Sequence, residues 1–374
     1  MILIKAQRDA LLKPLQTVTG IVERRHTLPI LSNVLLTKEG AEVAFCSTDI
    51  EMQIKTHAEM GAGSDNAATT VAARKLLDIL RALPEQEITV SLASKKLVVS
   101  QGKSKFSLQT LAAEEFPTVT PAEAYPAKVV LTQKALKHLL HLVHFAMAQQ
   151  DIRYYLNGLL LVIDRESLKA VSTDGHRLAF SAVKAGDEGV QIDIAGDRQE
   201  VIIPRKAVLE LQRLLSETDD QVVIEFAANQ ARFTFNQIEL LSKLIEGKFP
   251  DYQRVIPTGH TKIVSLDREL FLAALQRAAI LTTDKFKGVR LTLSSGSLRV
   301  SSTNAEQEEA SEELEVGYQG DPVDIGFNVQ YLLDVLANLK NKTIHVALQD
   351  PNASALITAS EDSEFKYVVM PMRI

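Results

Sequence analysis

Ser172, Asp174 and His176 are the residue types of a hydrolase triad, and they alternate along one short segment. A working triad needs a nucleophile, a base and an orienting carboxylate that converge in order. Alternate residues of a strand share a face without that order, and the sequence has no Gly-x-Ser-x-Gly elbow. The pattern therefore favours a polar strand end that turns at Gly175, with a hydrolase using His176 as the weaker alternative.

A second candidate for chemistry is the histidine series His138, His141 and His144. A metal site needs three or four converging ligands, but these residues drift around a helix and no carboxylate is suitably spaced. A solvated helix face is favoured, and protonatable groups facing phosphate are the next interpretation. The sequence also lacks the glycine-rich phosphate loops. We therefore expect no metal, no cofactor and no enzymatic activity.

The elements that position these residues recur three times along the chain. The segment from Cys46 to Asp49 recurs as Val171 to Asp174 and, more weakly, as Val300 to Asn304, each about one domain length from the last. Each copy reads as a strand, a helix, strands, a second helix and further strands. Strands in runs between only two helices predict antiparallel sheets and an α+β fold. We expect three similar tandem domains, at residues 1–127, 128–258 and 259–374.

Hydrophobic periodicity places the helices. In the second copy the predicted stripe runs through Leu136, Leu139 and Leu140 and on to Val143 and Ala146. The segment 185–199 reads as a long loop to which no function is assigned.

The charge is distributed unevenly. The chain of 374 residues has 47 acidic and 41 basic residues, for a net charge of −6, yet each of the six predicted helical segments has more Lys and Arg than Asp and Glu. If these helices line one surface, it attracts duplex DNA through its phosphates with little sequence preference. The alternative is that the bases merely solvate outer helix faces.

Composition limits the location of the protein. A single cysteine, Cys46, excludes a disulfide framework and fits a reducing compartment. No apolar run approaches the length of a membrane span and no signal peptide is recognised, so we expect a cytoplasmic protein without a membrane partner.

The end of the chain, from Tyr367 to Ile374, is apolar and places two methionines around a proline. Such a segment can form an adaptable binding surface, although core packing is the commoner role. A binding groove would need a second apolar wall.

Five motifs together resemble a known family: Thr173–Leu178, Asp151–Gly158, Lys248–Tyr252, Phe327–Val329 and Met370–Arg373. They are similar to those of the bacterial DNA polymerase III beta subunits, the beta sliding clamps. The resemblance implies a non-catalytic processivity factor in which each chain forms half of a head-to-tail homodimeric ring around double-stranded DNA, with helices lining the hole. It also implies the replicative polymerase alpha subunit and the clamp loader as partners. Translesion and repair polymerases, ligase and mismatch-repair proteins would bind through short linear peptides.

The resemblance implies three sets of site residues. The peptide groove, which supplies the second wall for the tail and places Arg177 and Arg373 at its rim, would comprise Leu156, Thr173, Gly175, His176, Arg177, Leu178, Pro250, Arg254, Val255, Asn328, Tyr331, Val368, Met370, Pro371, Met372 and Arg373. The residues expected to bind DNA are Arg25, Arg74, Lys75, Gln150, Tyr154, Tyr155, Arg205 and Lys206. The dimer interface would comprise Lys103, Lys105, Phe106, Leu108, Ile280, Leu281, Glu308, Glu309 and Glu312.

A different class of function also remains open on the residues alone. Three tandem domains could bind nucleic acid without enclosing it. The triplication favours the clamp, because a closed ring needs equivalent units.

Overall fold

A computed structural model describes residues 1–23, 28–283, 286–359 and 364–374. The chain divides into two compact units. The first contains residues 1–134, 191–195 and 213–244, and the second contains residues 135–190, 196–212 and 245–374.

The described elements alternate helices with runs of strands. The helices are α1 (Arg8–Thr19), α2 (Ala73–Ala82), α3 (Gln133–His141), α4 (Arg205–Leu214), α5 (Tyr252–Val255), α6 (Arg268–Ala278) and α7 (Val329–Asn338). The strands up to residue 204 are β1 (Ile2–Gln7), β2 (Asn33–Glu39), β3 (Glu42–Thr48), β4 (Met52–Glu59), β5 (Ala67–Ala72), β6 (Glu87–Ala93), β7 (Lys96–Gln101), β8 (Ser104–Leu111), β9 (Ala127–Thr132), β10 (Gly158–Asp164), β11 (Ser167–Thr173), β12 (Arg177–Lys184), β13 (Gln191–Ile194) and β14 (Arg198–Pro204). The later strands are β15 (Gln221–Phe226), β16 (Gln230–Phe235), β17 (Ile238–Lys243), β18 (Lys262–Asp267), β19 (Gly288–Ser294), β20 (Ser297–Thr303), β21 (Glu309–Glu315), β22 (Val323–Asn328), β23 (Thr343–Leu348), β24 (Ala355–Thr358) and β25 (Lys366–Val369).

The sheets are antiparallel, as the sequence predicts. The first unit holds a 13-stranded sheet in the order β1-β6-β7-β8-β5-β2-β3-β4-β17-β16-β15-β9-β13. The second holds an eight-stranded sheet, β14-β10-β11-β12-β25-β24-β23-β18, and a four-stranded sheet, β21-β20-β19-β22. In each unit a strand from later in the chain joins an earlier run, β17 beside β4 and β25 beside β12.

Burial follows the sequence periodicity. β9 and β15 alternate buried with more exposed residues, which is the pattern of a strand with one face against a core. α7 buries Val329, Leu332, Val335 and Leu336 on one stripe, and the Asn328 side chain caps its start by accepting from Gln330 N. These local preferences place the start of α7 directly at the end of β22.

The first helix of the second repeat is shorter than predicted. α3 ends at His141, and Val143 N and Ala146 N instead form 3-10-type bonds to the carbonyls of Leu140 and Val143. Both residues are fully buried. The apolar stripe therefore identified core residues correctly but overestimated the length of the helix.

The segment 185–199 is also more ordered than a loop. Its central part forms β13, which pairs with β9 at the edge of the large sheet. In the described ranges, no helix is both long and apolar enough to cross a membrane.

Candidate functional site

The turn between β11 and β12 is held by its own side chains. Asp174 Oδ1 accepts the N–H groups of His176 at 2.9 Å and Arg177 at 3.1 Å, and Thr173 Oγ1 donates to Arg177 O at 2.6 Å. Gly175 has a φ of +89°, a conformation that favours glycine. The turn is thus a preorganised polar end of the strand pair.

The triad-like residues do not form a triad. The Ser172 hydroxyl is fully buried and donates to a backbone carbonyl. The Asp174 carboxylate is engaged by the Arg177 guanidinium at 3.0 Å, while the His176 ring stacks on Tyr331 with centroids 6.4 Å apart. The spacing of these residues serves the turn rather than nucleophilic chemistry.

Arg177, which the resemblance implies at the rim of a peptide groove, is largely buried in this structure. Its side chain is only 10% exposed and contacts Asp174, Asp334 and the carbonyl of Phe145. Burial alone would lower the pKa of this guanidinium. The phenol of Tyr367 and the two carboxylates outweigh that penalty and raise the pKa above its usual value. Arg177 is therefore a permanently charged structural centre.

A buried apolar cluster, here named the floor, contains residues from the strands on both sides of the turn. It includes the predicted groove residues Leu156, Leu178 and Val368, packed with Phe180 and Tyr252. The rings of Phe180 and Tyr252 stack with centroids 5.8 Å apart. Tyr252 was not predicted, although it belongs to the quoted motif Lys248–Tyr252, and an aromatic in such a polar segment was a usable signal.

The apolar tail continues from β25 alongside this floor. β25 pairs with β12 so that Arg177 faces Val369, and Met370 N then donates to His176 O at 2.9 Å. Met372 N donates to Gly326 O at 2.8 Å. Both methionines remain exposed, Met370 by 47% and Met372 by 39%. The backbone is thus fixed while the thioethers stay accessible.

The remaining groove residues flank the tail or the floor. Asn328 caps the start of α7, and Tyr331 lies half-buried on that helix. Pro250, Arg254 and Val255 are exposed around α5, whose Tyr252 belongs to the floor. Pro371 is half-buried and Arg373 is exposed. The structure thus connects the predicted groove residues through one turn, one buried cluster, two helices and the tail.

Phe286 is a candidate site residue that the sequence did not predict. It is 66% exposed and lies two residues before Gly288, against which Ile374 packs. A large exposed aromatic this close in sequence to a glycine that the tail approaches is a further candidate contact for a ligand.

The residues expected to bind DNA have varied environments. In the first unit Arg74 and Lys75 are exposed at the start of α2, and Arg74 also donates to Val22 O at 2.6 Å. In the second unit Arg205 and Lys206 are half-buried at the start of α4. Arg25 lies outside the described residues.

Arg205 is partly committed to the protein. It donates to Met147 O at 3.3 Å, and burial, followed by the nearby charge of Arg177, lowers its pKa. It remains charged at neutral pH because an arginine starts from a very high value.

The loop bearing Gln150, Tyr154 and Tyr155 is held by hydrogen bonds within the loop. Arg153 bonds to both Asp151 oxygens and, with its backbone N–H, lowers the pKa of that carboxyl to about 2. Gln150 is exposed, Tyr154 is 58% exposed, and the two tyrosine rings contact edge to face. The loop presents an aromatic surface in a fixed geometry.

The predicted basic character of the helices is only partly correct. The segment around α7 reads as basic because of Lys340 and Lys342, but the helix ends at Asn338 and its charged residue is Asp334. In α6 the base Arg277 pairs with Glu312 at 2.6 Å. The sequence segments extend beyond the helix ends, and sequence alone does not show which charges are already paired.

The predicted interface residues lie on strand edges and one helix end. In the first unit Lys103 precedes β8, which carries Lys105, Phe106 and Leu108. β8 pairs with β7 along most of its length and with β5 only near its end.

In the second unit Glu309 and Glu312 lie on the edge strand β21, and Ile280 is 76% exposed after α6, beside half-buried Leu281. Glu308 accepts from Asn304 Nδ2 at 2.6 Å. Unpaired strand edges are ready templates for pairing with another chain.

The histidine series does not converge with other ligands. His141 and His144 stack with centroids 5.7 Å apart. Among the residues that the structure describes, no three His, Cys, Asp or Glu side chains are grouped as metal ligands.

The fold and site define an α+β protein of three tandem repeated domains whose polar turn and apolar tail adjoin. Sequence models of the DNA polymerase III beta subunit match the N-terminal domain at residues 2–120, the central domain at 130–251 and the C-terminal domain at 253–373. The chain belongs to the DNA polymerase III beta subunit family. The predicted resemblance and fold class are confirmed.

Individual relatives agree. The beta sliding clamp of Pseudomonas putida KT2440 is 46% identical over 98% of this chain and 99% of its own length. That of Escherichia coli K12 is 41% identical over the same shares. A crystal structure of the DNA polymerase sliding clamp from Pseudomonas aeruginosa with ligand superposes with a TM-score of 0.94 at 44% identity, covering 100% of both chains.

Members of this family are processivity clamps and not catalytic subunits of the polymerase. The expectations of a sliding clamp and of a non-enzyme are thereby confirmed. Membership also implies DNA and a DNA polymerase as partners.

Proposed function

We propose that this chain forms a head-to-tail homodimeric ring around duplex DNA and tethers polymerases through the peptide groove. The observation that carries the proposal is the pairing of β25 with β12, which sets an exposed apolar tail beside a rigid turn and a buried apolar floor. A ligand with aliphatic and aromatic anchors would bury itself against the exposed methionines at little ordering cost, because the backbone around them is already fixed.

Enclosure would keep the protein on DNA for a long time even though its individual contacts are weak. A closed ring cannot leave a duplex sideways, so affinity for individual phosphates need not be high, and weak contacts allow sliding. A polymerase held to the ring stays at a high effective concentration near the primer end. Arg74, Lys75, Arg205 and Lys206 would contact phosphates, together with Arg25. Tyr154 and Tyr155, with Gln150 beside them, would stack on an unpaired base.

The dimer would form between the two kinds of strand edge. β8 with Phe106 and Leu108 would meet Ile280 and Leu281 of a second copy. Lys103 and Lys105 would face the acidic residues of β21. Glu312 is already paired with Arg277, so Glu308 and Glu309 would supply more of the attraction.

The same groove would serve several proteins in turn. The clamp loader, the replicative polymerase alpha subunit, translesion and repair polymerases, ligase and mismatch-repair proteins would each present a short linear peptide. The domain limits at 127/128 and 258/259 and a cytoplasmic location are part of this proposal. Limited proteolysis with mass spectrometry tests the limits, and cleavage only within the assigned domains would reject them.

Molar mass in solution tests the dimer. Light scattering over a range of concentrations should give twice the chain mass. A strict monomer at every concentration would reject the ring, because one chain supplies only half of it.

Mutation tests the DNA surface. Replacing Arg205 and Lys206 with Ala should lower the slope of DNA affinity against salt by about one for each phosphate that the variant no longer neutralises. Arg165→Ala, at an arginine side chain that is 71% exposed, is the control. An unchanged slope in the double variant would remove Arg205 and Lys206 from the DNA surface.

A further inference from the structure

Asp334 on α7 is absent from the residues that the family resemblance places in the groove, yet both oxygens of its carboxylate have partners. Its Oδ2 contacts Arg177 Nη1 at 2.5 Å, and its Oδ1 accepts from Gln330 Nε2 at 2.7 Å. The Asp334 side chain is 25% exposed. It is therefore a half-buried charge whose partner lies 157 residues away in sequence.

The other nitrogens of Arg177 are also occupied. Nε contacts Asp174 Oδ2 at 3.0 Å and Nη2 donates to Phe145 O at 2.8 Å. A ligand could reach these donors only by breaking existing bonds, and the side chain is 10% exposed. Arg177 consequently acts on the groove by holding protein groups in place.

The groups that it holds belong to opposite sides of the groove. Asp174 fixes the turn that carries His176, and Asp334 fixes the helix that carries Tyr331. The guanidinium lies 4.6 Å from the centroid of the Tyr331 ring, and the His176 ring stacks on that same ring at an interplanar angle of 21°. One ion triplet thus sets the position of two groove-lining rings.

The triplet also joins two family domains. Asp174 and Arg177 fall within the range of the central domain, and Asp334 falls within that of the C-terminal domain. Buried ion pairs add little net stability, because the cost of desolvation offsets much of their attraction. Losing one partner leaves the remaining charge without compensation.

We propose that Asp334 is a positioning residue of the peptide groove, which acts through Arg177 to hold α7 and the 173–178 turn in the ligand-ready arrangement. This inference rests on the proposed peptide-binding function. A preformed groove saves the ligand the cost of ordering its walls, so the loss of Asp334 weakens binding although Asp334 itself touches no ligand.

The test is a double-mutant cycle on peptide affinity. The probe is a synthetic peptide that carries the clamp-binding segment of the same cell's replicative polymerase, titrated by calorimetry into the full-length protein. Asp334→Asn keeps the shape and removes the charge, and we expect it to weaken binding by about tenfold. Arg177→Ala should weaken binding similarly, and the double variant should be no worse than Arg177→Ala alone.

Two further variants separate positioning from general stability. Glu225→Gln removes another half-buried carboxylate, 22% exposed and paired with Arg232 at 2.7 Å, and should leave peptide affinity unchanged. Asp334→Glu keeps the charge and should retain more affinity than Asp334→Asn. All titrations are made well below the melting temperature of each variant, so that only folded protein is compared.

The outcomes distinguish the two proposals. If the unmodified protein does not bind the peptide, the proposed function itself fails. If it binds and Asp334→Asn binds equally well, or if the effects of the two substitutions simply add, the positioning role is overturned.

Discussion

The turns at Thr48–Met52 and Thr173–Arg177 have the same backbone and different chemistry. In both, the threonine hydroxyl donates to the carbonyl four residues later, at 2.8 Å and 2.6 Å. In both, the aspartate accepts the N–H groups two and three residues on. The Thr-Asp pair is therefore a structural device of the repeat and does not by itself mark a binding site.

The last residue of each turn makes the difference. Met52 is 2% exposed and belongs to the core of the first unit, whereas Arg177 forms the ion triplet of the second. The strands added beside these turns also differ. β17 leads on into further chain, while β25 leads into the apolar tail. The proposed groove thus depends on a cation at one position and on the apolar segment that follows β25.

Exchanging the distinguishing residue should have the largest effect on stability. Met52→Arg places a guanidinium in an apolar site, and we expect a loss of about 3–5 kcal/mol in the free energy of unfolding, because the charge is buried without partners. Urea denaturation of the variant and of the volume-conserving control Met52→Leu measures the loss. If Met52→Arg were as stable as the control, the environment of the first turn would not differ as described.

Removing the tail should abolish most of the ligand affinity. We expect deletion of Met370–Ile374 to weaken binding of the polymerase peptide by at least about 100-fold, or ~2.7 kcal/mol, while the dimer persists. Calorimetry and light scattering on the same sample measure the two quantities. Unchanged affinity would remove the tail from the ligand-binding site.

A milder variant displaces the tail without shortening it. A Cβ at Gly326 would lie 2.5 Å from Met372 O and 2.6 Å from Ile374 Cδ1, so Gly326→Ala should also weaken peptide binding. Gly196→Ala is the matched control, because a Cβ there meets nothing within 4 Å.

Exchanging the third residue of each turn should change the free energy of unfolding in opposite directions at the two sites. Ile50 has a φ of +80° and Gly175 a φ of +89°. A side chain in this conformation costs about 1–2 kcal/mol, so Gly175→Ala should destabilise by about that amount, and Ile50→Gly should stabilise by up to about 1 kcal/mol. Thermal unfolding gives both values. Shifts of the same sign would mean that the two backbones are not equivalent.

Much of this comparison was visible in the sequence, because it rests on local patterns. The repeated Thr-Asp segment, the second helices and the tail were all predicted, since turn chemistry and periodicity act over a few residues. The pairing of Arg177 with Asp334 was not, because it joins side chains far apart in sequence. The length of α3 was overestimated because a buried 3-10 turn, such as that at Val143, keeps the apolar spacing of an α-helix.

The smallest expected effect concerns pH and the histidines of the second unit. Burial, then the neighbouring histidines and Lys340, lower the pKa of His141, while a backbone bond from Asn338 partly offsets this. Burial and Arg205 lower the pKa of His144 below the ordinary 6.5, against the backbone bonds of His141 and Leu140. The unfolded chain therefore takes up protons more readily than the folded one, and stability falls as the pH drops through the ordinary value.

Melting temperatures measured at about pH 7.5 and about pH 5.5 test this direction. The decrease on acidification should be smaller in a His141→Gln, His144→Gln variant. An equal decrease in both proteins would assign the pH dependence to other groups.

Enclosure of DNA is the central claim, and retention on DNA of different topology tests it most directly. The protein is placed on a nicked circular plasmid by a clamp loader with ATP, freed of unbound chains, and divided into two portions, one of which is cut once by a restriction enzyme. A ring stays on the circle and slides off the linear ends. Equal retention on the circular and the linear DNA would contradict enclosure.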